Sequence, residues 1–148
     1  MNRIADTSGP VRAYQALSLL VVALFFLQPV LAGQFQYNDK PDYIDIHEIT
    51  ANAIFALLIL QSVLALLARR AFGIGLFALN LLIILLAGAQ IGFGYAARDN
   101  PDRLAIHLPL GVALFGLGLA AALFGWFDLR GQSTNPDEPG EEAAEHVA

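Results

Sequence analysis

Four long apolar stretches constrain this chain more than any other feature of its sequence. They run over residues 13–32, 49–68, 71–95 and 105–127, and none carries an Asp, Glu, Lys or Arg in its middle. A helix of about 20 apolar residues crosses the hydrocarbon core of a bilayer. Because the backbone finds no water at that depth, its hydrogen bonds must form within each segment. The sequence therefore predicts an all-α, integral membrane four-helix bundle over residues 13–127.

The composition agrees with this class and excludes others. Hydrophobic residues make up 57% of the chain and charged residues 14%, against about 25% charged residues in soluble domains. The sequence contains no cysteine, which excludes disulfides, thiolate chemistry and Fe–S clusters. The net charge of -5 argues against a nucleic-acid partner.

The flanking Lys and Arg residues predict the orientation, because cytoplasmic loops carry an excess of them. Five lie on the side of the termini and three on the other side, which places both termini in the cytoplasm. Residues 1–12 are then a cytoplasmic N-terminus, and residues 128–148 a disordered acidic cytoplasmic tail. The loops over residues 33–48 and 96–106 are expected to face outward, and the tight turn at Arg69 and Arg70 to face inward. The first group is Arg3, Arg12, Arg69, Arg70 and Arg130, and the second is Lys40, Arg98 and Arg103.

A cleaved signal peptide is an alternative for the first stretch. Basic residues precede it, and the sequence VLA over residues 30–32 resembles a small-residue cleavage site. A retained helix is favoured because the internal repeat described next includes it.

Two segments resemble each other at an offset of 60 residues. NDKPDYIDIH over residues 38–47 and RDNPDRLAIH over residues 98–107 share five of ten positions, including a Pro-Asp pair and the final histidine. In the preceding helices, Gln28 matches Gln90 at an offset of 62. Both hairpins begin on the same side of the membrane. The sequence therefore predicts two pseudo-symmetric helical hairpins, related by a two-fold axis along the membrane normal.

The repeat places His47 and His107 at equivalent positions, at the outer ends of helices 2 and 4. Facing helices of a four-helix bundle build cofactor sites, and a histidine pair can hold the iron of a b-type haem. We expect each histidine in a first helical turn, where the helix dipole keeps the imidazole neutral. Small residues one turn deeper, Ala51 and Gly111, are expected to leave room for a flat macrocycle.

Other polar groups complete the predicted cofactor site. Gln28 and Gln90 lie near the depth of the histidines and are predicted to line the pocket. The second nitrogen of each ring is expected to donate to a carboxylate or a backbone carbonyl. The nearby carboxylates are Asp45, Glu48 and Asp102.

Other interpretations of these residues remain open. Each histidine can be a polar anchor at the membrane interface, and the outer acids and histidines can hold a zinc ion. The polar residues within the helices are expected to pair across helices; they are Asn52, Gln61, Ser62 and Asn80. At the level of function, the alternative is a cofactor-free accessory or assembly membrane protein without catalytic activity. A small-molecule carrier finds little support, because no acid or base lies at mid-membrane depth.

The segments around both histidines resemble those of haem A synthase. QIGFGY over residues 90–95 and LAIHLPLGV over 104–112 are similar to its helix 3–helix 4 pattern. QPVLAG over residues 28–33 and HEITAN over 47–52 resemble the helix 1–helix 2 part. Those enzymes have two four-helix halves, each holding a haem between histidines of its second and fourth helices. Small bacterial four-helix membrane proteins share the pattern, and this chain corresponds to one half.

The resemblance implies that His47 and His107 are the axial ligands of one haem b. It implies a role in electron transfer or in haem and respiratory-chain assembly, with a membrane redox partner or respiratory-chain subunit. A homodimer would supply the missing second half. The loop cysteine pair of many members is absent, and Asp42 and Asp45 stand in the region where the family carries a glutamate. Haem A synthase activity is therefore not implied, and we assign no catalytic residue.

Overall fold

The computed structural model describes residues 8–38 and 41–127, which form a four-helix bundle. All four α-helices are long and apolar enough to cross a membrane. The prediction of an all-α membrane bundle is therefore confirmed, and the chain is a multi-pass membrane protein. The predicted acidic tail lies outside the described residues, as do residues 1–7 of the N-terminus. The helices are α1 (Ser8–Asn38), α2 (Pro41–Leu67), α3 (Arg69–Ala96) and α4 (Leu104–Phe127), and a short 3-10 helix (Pro101–Arg103) precedes α4.

The helices are arranged as a closed four-membered ring. Helices adjacent in sequence pack together, and α4 closes the ring against α1. The helices α2 and α4, which carry the two histidines, are therefore diagonal to each other across the bundle axis. The core is apolar, and each helix contributes a side chain that is almost completely buried: Val21, Leu58, Ile83 and Leu114.

The helix α2 begins eight residues before its apolar stretch. Proline is favoured at the first helical position because it lacks the N–H group that would be left unpaired there. Asp42 in the first turn interacts favourably with the helix dipole. Hydropathy does not detect such polar extensions. The prediction that His47 lies in the first turn is therefore wrong, since six residues of α2 precede it, whereas His107 does lie in the first turn of α4.

The connections at the outer end of the bundle, by which we mean only the end that carries both histidines, differ between the two hairpins. Because α1 continues to Asn38 and α2 begins at Pro41, most of the predicted outer loop 33–48 is helical. In the second hairpin a turn follows α3, and the Asn100 side chain accepts a hydrogen bond from the backbone N–H of Asp102 at 3.0 Å. The repeated Pro-Asp pair thus begins α2 in one hairpin and the short 3-10 helix in the other.

A kink at Gly73 separates the first turn of α3 from the rest of the helix. The backbone there has φ 75° and ψ 169°, a conformation that is essentially restricted to glycine. Before the kink, the N–H of Phe72 donates to the carbonyl of Ala68 at 3.1 Å. The tight turn predicted at Arg69 and Arg70 therefore extends to Gly73.

A buried polar network connects all four helices in the half of the bundle that lies away from the histidines. Gln61 Nε2 donates to Asn80 Oδ1 at 2.8 Å, and Asn80 Nδ2 donates to the Tyr14 hydroxyl at 3.1 Å and to the Leu76 carbonyl at 2.8 Å. The Tyr14 hydroxyl donates to the Ala121 carbonyl at 3.3 Å. The expected pairing across helices is confirmed for Gln61 and Asn80, whereas the buried Ser62 hydroxyl has no hydrogen-bond partner among the described residues.

Candidate functional site

The two histidines that the repeat predicts to face each other lie opposite one another across the bundle axis. The ring centroids of His47 and His107 are 6.4 Å apart, and the ring planes are inclined by 57°. Both rings are partly buried. The site therefore joins the outer part of α2 to the beginning of α4.

Each histidine ring is held by the backbone carbonyl of a glutamine in the preceding helix. His47 Nδ1 lies 3.1 Å from the Gln28 carbonyl oxygen, and His107 Nδ1 lies 3.0 Å from the Gln90 carbonyl oxygen. Because a carbonyl oxygen can only accept, each Nδ1 carries a proton, and in the neutral form of each ring the lone pair lies on Nε2. A metal-binding histidine typically has this arrangement, with its other ring nitrogen donating to a carbonyl or carboxylate.

The sequence suggests a carboxylate or a backbone carbonyl as the acceptor of each ring N–H. In the structure both rings donate to a backbone carbonyl. The nearby carboxylate of Glu48 instead forms an ion pair with Arg98 at the outer end of the bundle. The Arg98 guanidinium also lies 5.0 Å from the centroid of the Tyr95 ring, and Asn52 Nδ2 donates to the Tyr95 hydroxyl at 3.3 Å. These contacts link the outer parts of α2 and α3.

The side chains of the two glutamines have different partners. Gln28 Nε2 donates to the hydroxyl oxygen of Thr50 at 2.6 Å. Gln90 Nε2 lies 3.3 Å from His107 Nε2, to which it donates a hydrogen bond. The Gln90 Oε1 atom is buried and has no hydrogen-bond partner among the described residues. Both glutamines therefore lie beside the histidines, but only Gln90 contacts a ring nitrogen through its side chain. Their role in lining a cofactor pocket stays a prediction.

Two glycines allow the close contacts around His107. A Cβ atom at Gly111 would lie 2.9 Å from Gln90 Nε2, and a Cβ atom at Gly94 would lie 3.0 Å from His107 Cε1. The space beside Gly111, which the sequence assigns to a macrocycle, is therefore filled by the Gln90 carboxamide. Its counterpart Ala51 is partly buried.

Thr50 and Gly94 also belong to the site, but they were not predicted from the sequence. The repeat match of Thr50 is Leu110, so the comparison of the two hairpins does not select it. Gly94 is one helical turn beyond Gln90, a spacing that places both residues on one face of α3. That spacing is a signal from which Gly94 could have been found.

The zinc alternative lacks a ligand set in residues 8–38 and 41–127. No group of three or more His, Asp or Glu side chains in these ranges is positioned to hold a metal ion. Two histidines alone do not complete a structural zinc site, which takes four ligands.

Comparisons of this chain with protein-family models, with curated proteins and with solved structures give no significant match. The resemblance to haem A synthase therefore stays a prediction from the segments around the histidines.

Proposed function

We propose that this membrane protein binds one b-type haem between His47 and His107, with a role in electron transfer or in haem and respiratory-chain assembly. The observation that carries the proposal is the paired geometry of the rings. The two histidines lie on diagonal helices, and each donates Nδ1–H to the carbonyl of an equivalent glutamine. Haem supplies one-electron chemistry when it is bound.

The separation of the rings supports a shared metal ion. Two imidazoles that held one metal ion would each bond to it through Nε2, at about 2.0–2.1 Å. The centroids of His47 and His107 are 6.4 Å apart. The two rings are therefore close enough for one ion to be held between them.

The Gln90 carboxamide must leave His107 Nε2 before that nitrogen can bind a metal ion. This group is the end of a flexible side chain, and its Oε1 atom accepts no hydrogen bond within the described part of the chain. Its movement therefore breaks one 3.3 Å contact. It also vacates the space beside Gly111.

A difference spectrum tests the proposal. The protein would be purified in mild detergent from cells supplied with a haem precursor, and its reduced-minus-oxidised visible spectrum recorded. We expect a b-type alpha band that is lost in both His47→Ala and His107→Ala and retained in the control His146→Ala, which changes the third histidine of the chain. Each variant must elute as a single species and keep its helical circular dichroism, so that loss of haem is separated from loss of fold.

A colourless wild-type preparation would overturn the haem proposal. It would favour the cofactor-free accessory or assembly protein, in which the two histidines are interface residues. Loss of the band in only one histidine variant would contradict axial ligation by the pair.

We further infer from the Lys and Arg distribution that the protein lies in the cytoplasmic membrane with both termini in the cytoplasm. The histidine site is then near the outer face. A topology reporter fused after Arg70 should read cytoplasmic, and one inserted within residues 96–104 should read external. The opposite pattern would place the site at the inner face and leave the haem proposal to be decided by the spectrum.

A further inference from the structure

The two hairpins differ, among other positions, at the two residues about one turn beyond each histidine. At three and four residues beyond its histidine, the first hairpin has Thr50 and Ala51, whereas the second has Leu110 and Gly111. The glutamines and the ring-to-carbonyl hydrogen bonds are otherwise matched. Thr50 contacts the carboxamide of Gln28, and Gly111 lies against the carboxamide of Gln90.

In the first hairpin, the glutamine side chain is anchored away from the ring. The Thr50 hydroxyl accepts a hydrogen bond from Gln28 Nε2 at 2.6 Å. It is itself held at 2.7 Å from the Ile46 carbonyl and 3.0 Å from the His47 carbonyl. No hydrogen bond to His47 Nε2 is formed by the residues that the structure describes. The lone pair of His47 is therefore open.

In the second hairpin, the glutamine side chain lies on the ring. Leu110 has no hydroxyl that could anchor Gln90, and the missing side chain of Gly111 leaves space, since a Cβ atom there would lie 2.9 Å from Gln90 Nε2. The carboxamide occupies this space and donates to His107 Nε2 at 3.3 Å. The lone pair of His107 is therefore covered.

We propose that the Gln90 side chain is a removable cap on Nε2 of His107. The difference between the two rings comes from the residues one turn beyond each histidine. Thr50 and Ala51 make His47 the open ligand, and Leu110 and Gly111 make His107 the capped one. The order of binding that follows rests on the proposed haem function. His47 offers its lone pair first, and Gln90 rotates away before His107 can do the same. Thr50 and Gln90 act as positioning residues, because each controls which ring nitrogen is available.

The cap has a physical reason in the ligand-free protein. A buried acceptor without a hydrogen bond is costly where water is scarce. Gln90 donates to the Nε2 lone pair of His107, and no other described residue forms a hydrogen bond to that atom. The side chain leaves its own Oε1 atom without a hydrogen-bond partner among the described residues, so the contact is easily given up.

Chemical modification of the ligand-free protein tests the cap without haem. Diethyl pyrocarbonate attacks the unprotonated imidazole nitrogen, and mass spectrometry of the digested protein gives a rate for each histidine. We expect His107 to react about fivefold more slowly than His47, the factor that one ordinary hydrogen bond provides. The ring ¹⁵N resonance of His107 Nε2 should also show hydrogen-bond acceptance that His47 Nε2 lacks.

Exchange of the two pairs of residues provides matched variants. Leu110→Thr with Gly111→Ala should raise the modification rate of His107 to that of His47. Thr50→Leu with Ala51→Gly should lower the modification rate of His47 to that of His107. Thr50→Ser, which keeps the hydroxyl, should leave the rate of His47 unchanged. Equal rates in the wild type, or a ratio that neither exchange alters, would overturn the cap.

Haemin titration separates this inference from the proposed function. In the ligand-free protein, Leu110→Thr with Gly111→Ala should accelerate haemin binding by about the same fivefold factor, because the cap no longer has to leave. If the wild type binds no haemin, the haem proposal fails and the modification rates still decide the cap. If haemin binds at a rate that this exchange does not change, the cap fails and the haem proposal stands.

Discussion

Gly94 lies directly against the ring of His107. A Cβ atom on Gly94 would be 3.0 Å from Cε1 and 3.4 Å from Nδ1 of that ring. One turn earlier on the same helix, the Gln90 carbonyl accepts the Nδ1 hydrogen bond. The position of the ring is therefore set by α3, through one carbonyl and one missing side chain.

Gly94→Ala should weaken haem binding. The added methyl group must push the His107 ring away from the Gln90 carbonyl and loosen the hydrogen bond that orients it. Loss of such an outer contact typically reduces metal affinity by about 10-fold to 100-fold, and we expect the lower end of that range. Haemin titration of the ligand-free protein, followed by absorbance, gives the affinity.

Gly92→Ala is the matched control on the same helix. A Cβ atom at Gly92 would meet no atom of the described residues within 4 Å, so its haemin affinity should equal that of the wild type. Equal affinities for the Gly94 and Gly92 variants would contradict the role of Gly94 in placing the ring.

Gly73→Ala should lower the free energy of unfolding by about 1–3 kcal/mol, the cost of a rare backbone conformation in a residue with a side chain. The cause is the backbone alone, since no atom in the described ranges lies within 4 Å of the added Cβ atom. Unfolding in a denaturing detergent, followed by circular dichroism, measures the change.

The control is Gly75→Ala, two residues further along α3. This glycine is helical, and a Cβ atom there has open space around it within the described structure. Alanine at such a site should be neutral or stabilising by up to about 1 kcal/mol. Similar losses in both variants would show that the kink at Gly73 does not need glycine.

The fold follows from the sequence because two independent signals agree. The apolar lengths give four spanning helices, and the repeat gives two parallel hairpins. The ends of the helices cannot be predicted from the apolar lengths. The helix α1 continues through polar residues to Asn38, and α2 begins among polar residues at Pro41. The Gly73 kink also gives no signal in hydropathy, since it depends on one pair of backbone angles.

The site follows from the sequence only in part. The repeat predicts that His47, His107, Gln28 and Gln90 share a depth, and the structure brings them together. The partners of the glutamine side chains could not be predicted. They depend on whether a hydroxyl group, a methyl group or empty space lies beside each carboxamide, and this is a property of the packed helices.

Asn80→Leu should destabilise the bundle through the polar network. It leaves Gln61 Nε2 without its acceptor and removes the donor to the Tyr14 hydroxyl. Hydrogen bonds between membrane helices contribute about 0.6 kcal/mol on average and up to about 1.7 kcal/mol, so we expect a loss of about 1–2 kcal/mol in the free energy of unfolding.

The double variant Gln61→Leu with Asn80→Leu isolates the hydrogen bond between these side chains. Removing both partners avoids an unpaired buried group and should cost less than the sum of the two single changes. Asn52→Ala is the control at an exposed position and should change the free energy of unfolding by less than about 0.5 kcal/mol. Additive losses would contradict coupling between Gln61 and Asn80.

Gly125→Ala should disrupt the contact between α4 and α1. The added Cβ atom would lie 2.5 Å from Tyr14 Cε1, and Tyr14 is fully buried against the Phe72 ring, with ring centroids 5.1 Å apart. The tyrosine cannot move freely, because its hydroxyl also belongs to the polar network. We expect a loss of about 1–3 kcal/mol in the free energy of unfolding, which is typical of an overpacked core.

Gly116→Ala on the same helix, where a Cβ atom has no described neighbour within 4 Å, should show no such loss. In the double variant Gly125→Ala with Tyr14→Leu, the smaller ring-free side chain relieves the clash, so the loss should be less than the sum of the single losses. Strict additivity, or an unaffected Gly125→Ala protein, would show that Tyr14 does not fill the position that glycine leaves open.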